Sequence, residues 1–480
     1  MGSVSLQSET MAADPAPLFS RRIQRWEPGA IRSLLPLEAI PGMISLVAGK
    51  PNPQTFPFSK ISITLNDSKE TTLVLDDAAL SEALQYNLPA GHPGLLKWLE
   101  GLQQTVHGLS SAGSWACCVG NGSQELIHKA FQVFTDLGDP VMLETPAYPG
   151  VSAFLRADGH ELVEVCSGPD GVDPSDLERV LSAWPENRRR PTVLYTVPTG
   201  SNPTGRSCSE TNKARILRLA KRFNFMIFED DAYYFLNFEE DPSKRARSYL
   251  SLEREVNGET GRVMRFDSLS KIVSSGMRLG ILTGPAPAVQ KVVKITENIN
   301  LQPTTTSQVL VLTLFRHWGY TGFVEHCTQA ASFYRAKRDA FAAAAERHLR
   351  GRATWEVPRA GMFFWFRLLL PPGADDSLEL LRRKGIENRI LAIPGTAFFP
   401  NPRRAPHLRA SYSLVSEHDM DEACRRIAKL VDDAWRDEFA AHARAQRAEA
   451  EEEIKSNSQM QTIEATTTAL GLPTARKIMA

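Results

Sequence analysis

The stretch RFDSLSKIVSSGMRLGILTG, residues 265–284, begins within a short apolar run, 263–266, that is typical of the end of a buried strand. Ser268 and Ser270 follow this run and lead directly to Lys271, and Arg278 lies just beyond. Hydroxyl and guanidinium groups are suited to holding a phosphate. The stretch therefore favours a lysine held beside a phosphate site at a strand end. A polar loop with a solvated surface lysine is the alternative that these residues leave open.

A lysine beside a phosphate site is what the chemistry of pyridoxal 5'-phosphate (PLP) needs. The amine of the lysine forms a Schiff base with the aldehyde of PLP, while nearby donors hold its phosphate. One lysine is weak evidence for this chemistry, so residues elsewhere in the chain are needed to distinguish a PLP site from an ordinary polar loop.

Length and composition set the broad class of protein. A chain of 480 residues predicts two or more domains, or one large α/β domain with an appendage. Its 42% hydrophobic and 23% charged residues are ordinary for a soluble globular enzyme. The 55 basic and 55 acidic residues cancel, which removes the electrostatic argument for binding nucleic acid or an anionic membrane. No apolar run approaches the roughly 20 residues of a membrane span.

Cysteine usage and the N-terminus indicate where the protein works. The six cysteines are scattered without a CxxC pair, which argues against a disulfide scaffold and against a zinc site. The first residues, MGSVSLQSETMAADPAP, lack the basic and apolar regions of a secretory signal. Both features favour a reducing compartment, and we expect the cytoplasm.

The middle of the chain alternates strand-like apolar runs with helical stretches. Strands are predicted at 116–120, 140–144, 161–165, 192–197, 225–229, 263–266 and 278–283. Helices are predicted before these strands at 79–86 and 95–107, and between them at 123–135, 174–182 and 209–223. This alternation predicts an α/β fold whose mainly parallel, seven-stranded sheet lies between helices.

The chain divides into five parts by composition. We expect a disordered leader at 1–15, an N-terminal segment or lid at 16–70, a large domain at 71–345, a small domain at 346–445 and a polar, disordered tail at 446–480. The segment 16–70 has no core of its own, so it is assigned to the small domain. A long helical region is predicted at 304–349. The small domain is predicted to be α+β, with strands within 355–370, 390–393 and 409–412 and helices at 377–388 and 417–445.

Unusual residue clusters follow the predicted strands, where ligands bind in open α/β sheets. Ser123 and Gln124 follow a glycine turn and open a helix, whose free backbone N–H groups can hold a phosphate. The full GxGxxG pattern is missing, which counts against a nicotinamide site. Tyr148 follows the next strand and could stack on a flat ring. Ordinary packed turns are the alternative for each cluster taken singly.

Two further polar clusters follow the next predicted strands. Asn202 lies in the turn SNPTG, residues 201–205, and Asp230 ends a strand before Tyr233. A carboxylate at a strand end can pair with a protonated pyridine nitrogen, which makes the ring an electron sink. An N-cap or an exposed acidic turn is the alternative for Asp230. All the clusters together, each at a strand end and in this order, favour a PLP site.

These stretches resemble the fold-type I PLP enzymes and, within them, the class I aminotransferases. The chain is most similar to the branch that contains kynurenine/2-aminoadipate aminotransferase and the fungal aromatic aminotransferases. The resemblance covers about residues 25–437 and rests on SLVAGKPNPQTFPF, LQYNLPAGHPGLLKWL, SNPTG, FEDDAYYFLNF, SLSK, PRAGMFFWF, ILAIPGTAFF and LRASYS. It implies an aspartate aminotransferase-like fold and a homodimer with shared active sites.

The resemblance also implies roles for cofactor-binding residues. Lys271 corresponds to the Schiff-base lysine, which also moves the proton between Cα and C4', and Asp230 to the carboxylate on the pyridine nitrogen. Asn202 and Tyr233 correspond to the pair that contacts the phenolic oxygen, and Tyr148 to the stacking ring. The phosphate-binding set corresponds to Ser123, Gln124, Ser268, Ser270 and Arg278, with Tyr86 contributed by the partner subunit.

Substrate-binding roles follow in the same way. Arg409 corresponds to the arginine that holds the substrate α-carboxylate in a bidentate fork, which lysine does poorly. Gly49 corresponds to a pocket glycine, and Arg32 to a lid arginine that can meet a side-chain carboxylate. Lys50 stands where relatives often carry an apolar residue, so the polarity of the pocket departs from the family pattern. No metal ligands are expected.

The function implied is transfer of the amino group of an aromatic L-amino acid (Tyr, Phe or Trp) to a 2-oxo acid by a ping-pong mechanism. The acceptor is expected to be 2-oxoglutarate or an aromatic 2-oxo acid such as phenylpyruvate. A 2-aminoadipate or kynurenine aminotransferase is the first alternative. A PLP lyase or decarboxylase and a non-catalytic protein on the same fold are the others. Small-molecule substrates and a second copy of the chain are the expected partners, with no nucleic acid and no membrane.

Overall fold

The computed structural model describes residues 12–26, 34, 37, 40–47, 49–110, 114–241 and 244–469. Its strands are Ser62–Thr64 (β1), Thr72–Val74 (β2), Trp115–Gly120 (β3), Pro140–Thr145 (β4), Glu161–Gly168 (β5), Gly171–Val172 (β6), Val193–Thr196 (β7), Met226–Asp230 (β8), Val263–Ser268 (β9), Gly280–Pro285 (β10), Ala353–Thr354 (β11), Phe363–Leu368 (β12), Ile393–Pro394 (β13) and His407–Ser411 (β14).

The α-helices lie between and after these strands. They are Arg21–Gln24 (α1), Asp77–Leu84 (α2), Pro93–His107 (α3), Ser123–Phe134 (α4), Pro149–Ala157 (α5), Pro174–Ser182 (α6), Glu210–Phe223 (α7), Tyr249–Asn257 (α8), Ala286–Ile299 (α9), Thr305–Leu349 (α10), Ser377–Leu380 (α11) and Glu417–Ala469 (α12).

The large sheet has the strand order β3-β10-β9-β8-β7-β4-β5-β6. Its central strands from β9 to β5 are parallel, whereas β10 is antiparallel to both of its neighbours. All seven predicted strands are present, which confirms the mainly parallel α/β fold. The eighth strand, β6, was not predicted, because a two-residue strand paired antiparallel to β5 leaves no periodic signal.

The sheet is buried on both faces. Every residue of β4, β7, β8, β9 and β10 is buried, which explains why these strands read as continuous apolar runs rather than alternating ones. Phe131 and Phe134 of α4 pack on Phe228 of β8, and Phe228 packs edge-on against Phe266 of β9. Aromatic contacts of this kind fix the central strands, and these strands carry the site at their carboxyl ends.

Three helices of the large domain were not predicted. They are α5, α8 and α9. Helix α9 starts directly after β10, so no loop marks its start, and α5 is only nine residues long and begins three residues after β4. The region predicted as helical at 304–349 is α10, but Gly319 has φ 61° and ψ −174°, so two helices meet there at a kink.

The small domain is built on the antiparallel sheet β11-β12-β14-β13. Three of its elements are shorter than predicted. The strand expected within 355–370 is limited to β12, since Pro358 and the left-handed Gly361 interrupt its first half. The helix expected at 377–388 is α11 followed by the π-turn Leu381–Gly385, and the strand expected at 390–393 only starts at Ile393.

The first described residues pack on the large domain, not on the small domain as expected for 16–70. Ala13 N donates to Thr260 O at 2.7 Å, and Ser20 N donates to Val133 O at 2.7 Å. Leu18, Phe19 and Ile23 join the core of the large sheet. Residues 12–15 of the expected leader are therefore placed against the fold, because three apolar side chains of the segment that follows find a core there.

The C-terminal part also differs from the expected disordered tail. Helix α12 continues from the small domain to Ala469, and its residues beyond 440 are exposed wherever their burial is described. Alanine, glutamate, arginine and glutamine, which favour helix, dominate 440–453 and explain the extension. In the described part of the chain, no helix is long and apolar enough to cross a membrane.

Candidate active site

A cavity of about 210 Å³ lies at the carboxyl ends of β4, β7, β8 and β9. It is lined by Ser123, Gln124, Tyr148, Val197, Asn202, Asp230, Ala232, Tyr233, Ser268, Ser270, Lys271, Ser275 and Arg278. The structure thus brings together ten residues that the sequence places in separate strand-end clusters. Larger cavities elsewhere in the described residues do not combine these groups.

One end of the cavity is suited to an anion. Ser123 is the first residue of α4, so the free backbone N–H groups of the helix point into the site. Arg278 Nη1 lies 3.3 Å from Ser270 Oγ, which brings a guanidinium and a hydroxyl to the same point. Gly122 has φ +93°, and a Cβ there would collide with Arg278 Nη2. Glycine at this position therefore lets the arginine approach the helix start.

Lys271 lines the same cavity. It ends the single 3-10 turn Leu269–Lys271 that follows β9, and Ser268 Oγ accepts from Ser270 N at 3.3 Å to begin that turn. Burial lowers the pKa of Lys271, and the nearby positive charge of Arg278 lowers it further. A lysine with a lowered pKa has more of the free amine that nucleophilic attack and proton transfer require.

Asp230 is the buried carboxylate of the site. Its Oδ2 accepts from Tyr195 OH at 2.6 Å. Its Oδ1 has no hydrogen-bond partner among the described residues, although both the atom and the residue are buried. Burial raises the pKa of Asp230 to about 7, against the lowering effect of the Tyr195 hydrogen bond. A buried acceptor without a donor is costly, so the site is built for a donor from outside the chain.

These observations test whether the residues fit PLP. The protonated pyridine nitrogen of PLP is a donor suited to Asp230 Oδ1, and the phosphate is an anion suited to the start of α4 and Arg278. Lys271 lies in the same cavity as both. The donor set, the orphaned carboxylate oxygen and the amine therefore fit this cofactor.

Aromatic rings form the walls of the cavity. Tyr148, at the start of α5, and Tyr233 line it, and burial raises the pKa of both phenols, followed by the charge of Asp230. The ring of Tyr233 packs edge-on against Phe363 of the small domain at 5.9 Å. Both phenols stay protonated near neutral pH, so they act there as hydrogen-bond donors and flat apolar surfaces.

Arg409 reaches the site from the small domain. It lies on β14, and its Nη1 donates to Asn202 Oδ1 at 2.7 Å. Its guanidinium carbon lies 4.2 Å from the ring centre of Phe363 and 5.3 Å from that of Phe398. Burial lowers the pKa of Arg409, and its buried Nε has no partner among the described residues. The guanidinium is thus held between rings with a donor left for an acceptor from outside.

Other residues expected in the site are not brought to the cavity within this chain. Tyr86 follows α2 and is 52% exposed, and it does not line the cavity. Gly49 is also exposed and away from the lining, as is Lys50. Arg32 lies outside the described residues.

Sequence reasoning missed two buried residues near Asp230, namely Arg265, which pairs with the neighbouring acids, and Tyr195, which donates to Asp230 itself. Arg265 is fully buried and forms ion pairs with Asp231 at 2.8 Å, with Asp267 at 2.7 Å and with Glu229 at 3.3 Å. The run of three acids around Asp230, in a segment otherwise apolar, is the signal that a buried cation must be near. Tyr195 carries no such signal, because a tyrosine inside an apolar strand is typical of a core residue.

Comparison with known proteins gives the family. Residues 69–427 match the family described as aminotransferase class I and II. The chain belongs to this family. It is therefore an aminotransferase, and its family implies PLP as the cofactor. The Lys271 stretch from which the sequence analysis began lies inside the matched region.

Individual relatives cover nearly the whole chain. A protein of Emericella nidulans named aminotransferase tdiD is 64% identical over 434 residues, covering 90% of this chain and 99% of the relative. The mitochondrial kynurenine/alpha-aminoadipate aminotransferase of Bos taurus is 37% identical, covering 84% of this chain and 96% of its own. The crystal structure of the aromatic aminotransferase Aro9 of Candida albicans has a TM-score of 0.78 at 25% identity, covering 88% and 99%.

Proposed function

We propose that this aminotransferase moves the amino group of an aromatic L-amino acid (Tyr, Phe or Trp) to a 2-oxo acid such as 2-oxoglutarate or phenylpyruvate. The observation that carries the transfer chemistry is the single cavity that holds Lys271, Asp230 and the anion site at Arg278. Similarity to the Candida albicans aromatic aminotransferase supports the aromatic donor. The reaction is ping-pong, so the amino acid enters and its oxo acid leaves before the second oxo acid binds.

The cofactor is held by residues at both ends of the cavity. Ser123, Gln124, Ser268, Ser270 and Arg278 hold the phosphate. Asp230 Oδ1 would accept a hydrogen bond from the protonated ring nitrogen, Asn202 and Tyr233 would contact the phenolic oxygen, and Tyr148 would cover the ring face. When bound, PLP supplies an electron sink that stabilises negative charge at the Cα of the amino acid.

The substrate is held by the small domain. Arg409 pairs with the α-carboxylate, and the flanking rings of Phe363 and Phe398 hold its planar guanidinium in place. Lys271 Nζ would remove the proton from the Cα of the bound amino acid and deliver it to C4' of the cofactor. Because burial and Arg278 lower the pKa of this lysine, its amine is able to accept that proton.

A 2-aminoadipate or kynurenine donor is the second candidate. The 37% identity with the bovine kynurenine/alpha-aminoadipate aminotransferase supports it. Arg32 and Lys50 are the cations that we propose for a side-chain carboxylate on this donor or on 2-oxoglutarate. A lyase or decarboxylase is not favoured, because the family of the chain is that of aminotransferases.

We also propose a homodimer with shared sites, in the cytoplasm. Tyr86 and Leu88, which follow α2, and Ile299 and Leu301, at the end of α9, are exposed. A hydrogen bond from Asn87 N to the Gln302 side chain joins these two segments. An apolar surface of this kind is typical of a subunit interface. All six cysteines are free, which suits a reducing compartment.

A panel of donors and acceptors tests the substrate assignment. Each of Phe, Tyr, Trp, kynurenine and 2-aminoadipate is paired with 2-oxoglutarate and with phenylpyruvate, and oxo-acid formation is measured as kcat/KM. The proposal expects the aromatic donors to exceed 2-aminoadipate and kynurenine by at least about tenfold, which is a difference of about 1.4 kcal/mol in transition-state binding. A reversed order would establish the second candidate instead.

A further inference from the structure

Tyr195 is the only described side chain that donates a hydrogen bond to Asp230, and its position follows from strand register. In the parallel pair of β7 and β8, Tyr195 lies opposite Phe228. Phe228 and Asp230 are two residues apart, so their side chains lie on the same face of the sheet. The phenol therefore extends along this face to the carboxylate, where its hydroxyl lies 2.6 Å from Oδ2.

The neighbouring acids face the other way. Glu229 and Asp231 alternate with Asp230 and lie with Arg265 and Asp267 on the opposite face, where Arg265 forms ion pairs with all three. Asp267 also accepts from Gln103 Nε2 at 3.1 Å. Each of these acids has at least one donor of its own, whereas Tyr195 is the only donor to Asp230 among the described residues.

We propose that Tyr195 is a positioning residue that holds Oδ2 of Asp230, presents Oδ1 to the cofactor ring and keeps the shared proton on the ring nitrogen. This inference rests on the proposed placement of the ring nitrogen against Asp230. A hydrogen bond to a carboxylate favours its charged form. In a buried pair the proton can rest on either partner, so a donor to the carboxylate moves it toward the nitrogen.

The surroundings make this donor necessary. The titratable groups that act on Asp230 are Tyr195, Lys271, Tyr148 and Tyr233 around the cavity, and Asp231 and Asp267 through the sheet from its other face. Burial, Asp231 and Asp267 raise the pKa of Asp230, whereas Tyr195 and Lys271 lower it. Tyr195 itself is 1% exposed, and burial and Asp230 raise the pKa of its phenol, so the hydroxyl keeps its proton and remains a donor.

The test is made on the holoenzyme loaded with PLP labelled with 15N in the ring. Solid-state 15N spectra report directly whether the ring nitrogen carries a proton, independently of turnover. We expect the wild type to show a protonated nitrogen and Tyr195→Phe to show a shift toward the unprotonated value. The pH at which the proton is lost should fall by about one unit, as expected when a charged hydrogen bond is removed.

Tyr249→Phe is the matched control. Tyr249 is also fully buried, but it belongs to the cluster that contains Leu194 and Ile227, on the face of the sheet opposite Tyr195. Its hydroxyl contacts Cys208 Sγ at 3.6 Å. This variant loses a buried phenol hydroxyl without touching Asp230, so its 15N spectrum should match that of the wild type. A shift as large as that of Tyr195→Phe would overturn the proposal.

A second variant keeps the proposal testable if Tyr195→Phe does not fold. Tyr195→3-fluorotyrosine keeps the shape of the side chain and makes the phenol a stronger donor, so the pH of proton loss should rise. No change with fluorotyrosine, or an unshifted nitrogen in a folded Tyr195→Phe, would overturn the inference. The proposed ring placement fails separately if Asp230→Asn leaves the 15N spectrum unchanged.

Discussion

Arg409 on the small domain donates to Asn202 Oδ1 on the large domain at 2.7 Å. This hydrogen bond joins the residue proposed for the substrate carboxylate to one proposed for the phenolic oxygen of the cofactor. Gly205 supports the same contact, since a Cβ there would meet Phe363 O and Pro358 of the small domain. The two domains therefore meet at the point where substrate and cofactor are proposed to be held together.

The first prediction concerns the shape of the Arg409 guanidinium. Arg409→Lys keeps the charge but loses the bidentate fork and the flat contact with Phe363. Loss of one charge-assisted hydrogen bond costs about 1.5–3 kcal/mol, so kcat/KM for the amino acid should fall about 10- to 100-fold in steady-state assays. Arg367→Lys, on the neighbouring strand β12 with an exposed side chain, is the control and should keep wild-type kinetics. A loss below threefold for Arg409→Lys would mean that this arginine does not hold the carboxylate.

The second prediction concerns Lys271. Lys271→Ala should lose measurable transamination and the visible absorbance of a lysine-linked cofactor, because no other lysine lines the cavity. Circular dichroism and Tm should stay close to the wild type, since the side chain is only partly buried. Lys221→Ala removes a lysine that is 49% exposed and should change neither property. Near-normal turnover in Lys271→Ala would remove Lys271 from the reaction.

The third prediction uses the raised pKa of Asp230. Its pKa is raised from 3.8 to about 7 in the folded chain, so its contribution to stability is complete below pH 3.8 and is lost as pH rises to about 7. Asp230→Asn does not undergo this loss and can still accept from Tyr195. The cofactor-free variant should therefore be more stable than the wild type at pH 8, by about 2–4 kcal/mol, and nearly equal to it at pH 4.

Unfolding of both cofactor-free proteins between pH 4 and pH 8 measures this difference. Glu144 and Glu253, whose pKa values burial also raises to about 7, are present in both proteins and cancel in the comparison. The same variant should lose about 100-fold or more in kcat, because a neutral amide leaves the ring nitrogen without its counter-charge. If the wild type and Asp230→Asn were equally stable at every pH, the pKa of Asp230 would not be raised in the cofactor-free protein.

The residues that the sequence could predict share one property. Lys271, Asp230, Asn202 and Tyr148 each follow a strand, and a parallel sheet gathers its strand ends at one edge. A local motif was therefore enough to place them together, and the cavity contains all four. Arg409 needed the family resemblance, because it comes from another domain and no local pattern connects it to Asn202.

Other features depend on relationships that a linear pattern does not contain. Tyr195 lies within a strand, and only the register of β7 against β8 shows that its hydroxyl reaches Asp230. The sequence around Leu18 and Ile23 does not show which of the two domains these side chains pack on. In the structure they pack beside α4, in the core of the large domain. The kink at Gly319 is a single backbone conformation inside a region that is helical on both sides.

The last prediction tests whether the sites are shared between subunits. Tyr86 is 52% exposed and does not reach the cavity of its own chain, which fits the proposal that it contacts the phosphate bound by the partner subunit. Tyr86→Ala should then weaken PLP binding, and Tyr86→Ala and Lys271→Ala should each impair both sites of their own homodimers. A mixed dimer of the two variants combines the intact Lys271 of one subunit with the intact Tyr86 of the other, so it contains one complete site.

Co-expression of the two variants with different affinity tags isolates this mixed dimer. Random pairing makes about half of the dimers mixed, so the unfractionated mixture should recover about a quarter of the wild-type activity, and the purified mixed dimer about half. Co-expression of Lys271→Ala with Asp230→Asn is the control. Both residues line the cavity of their own chain, so each site of this mixed dimer carries one of the two changes and neither site is complete. The shared site predicts that the mixed dimer of Lys271→Ala and Tyr86→Ala is more active than either homodimer and binds PLP with wild-type affinity at one site. If this mixed dimer is no more active than the control mixed dimer, Tyr86 belongs to the site of its own chain.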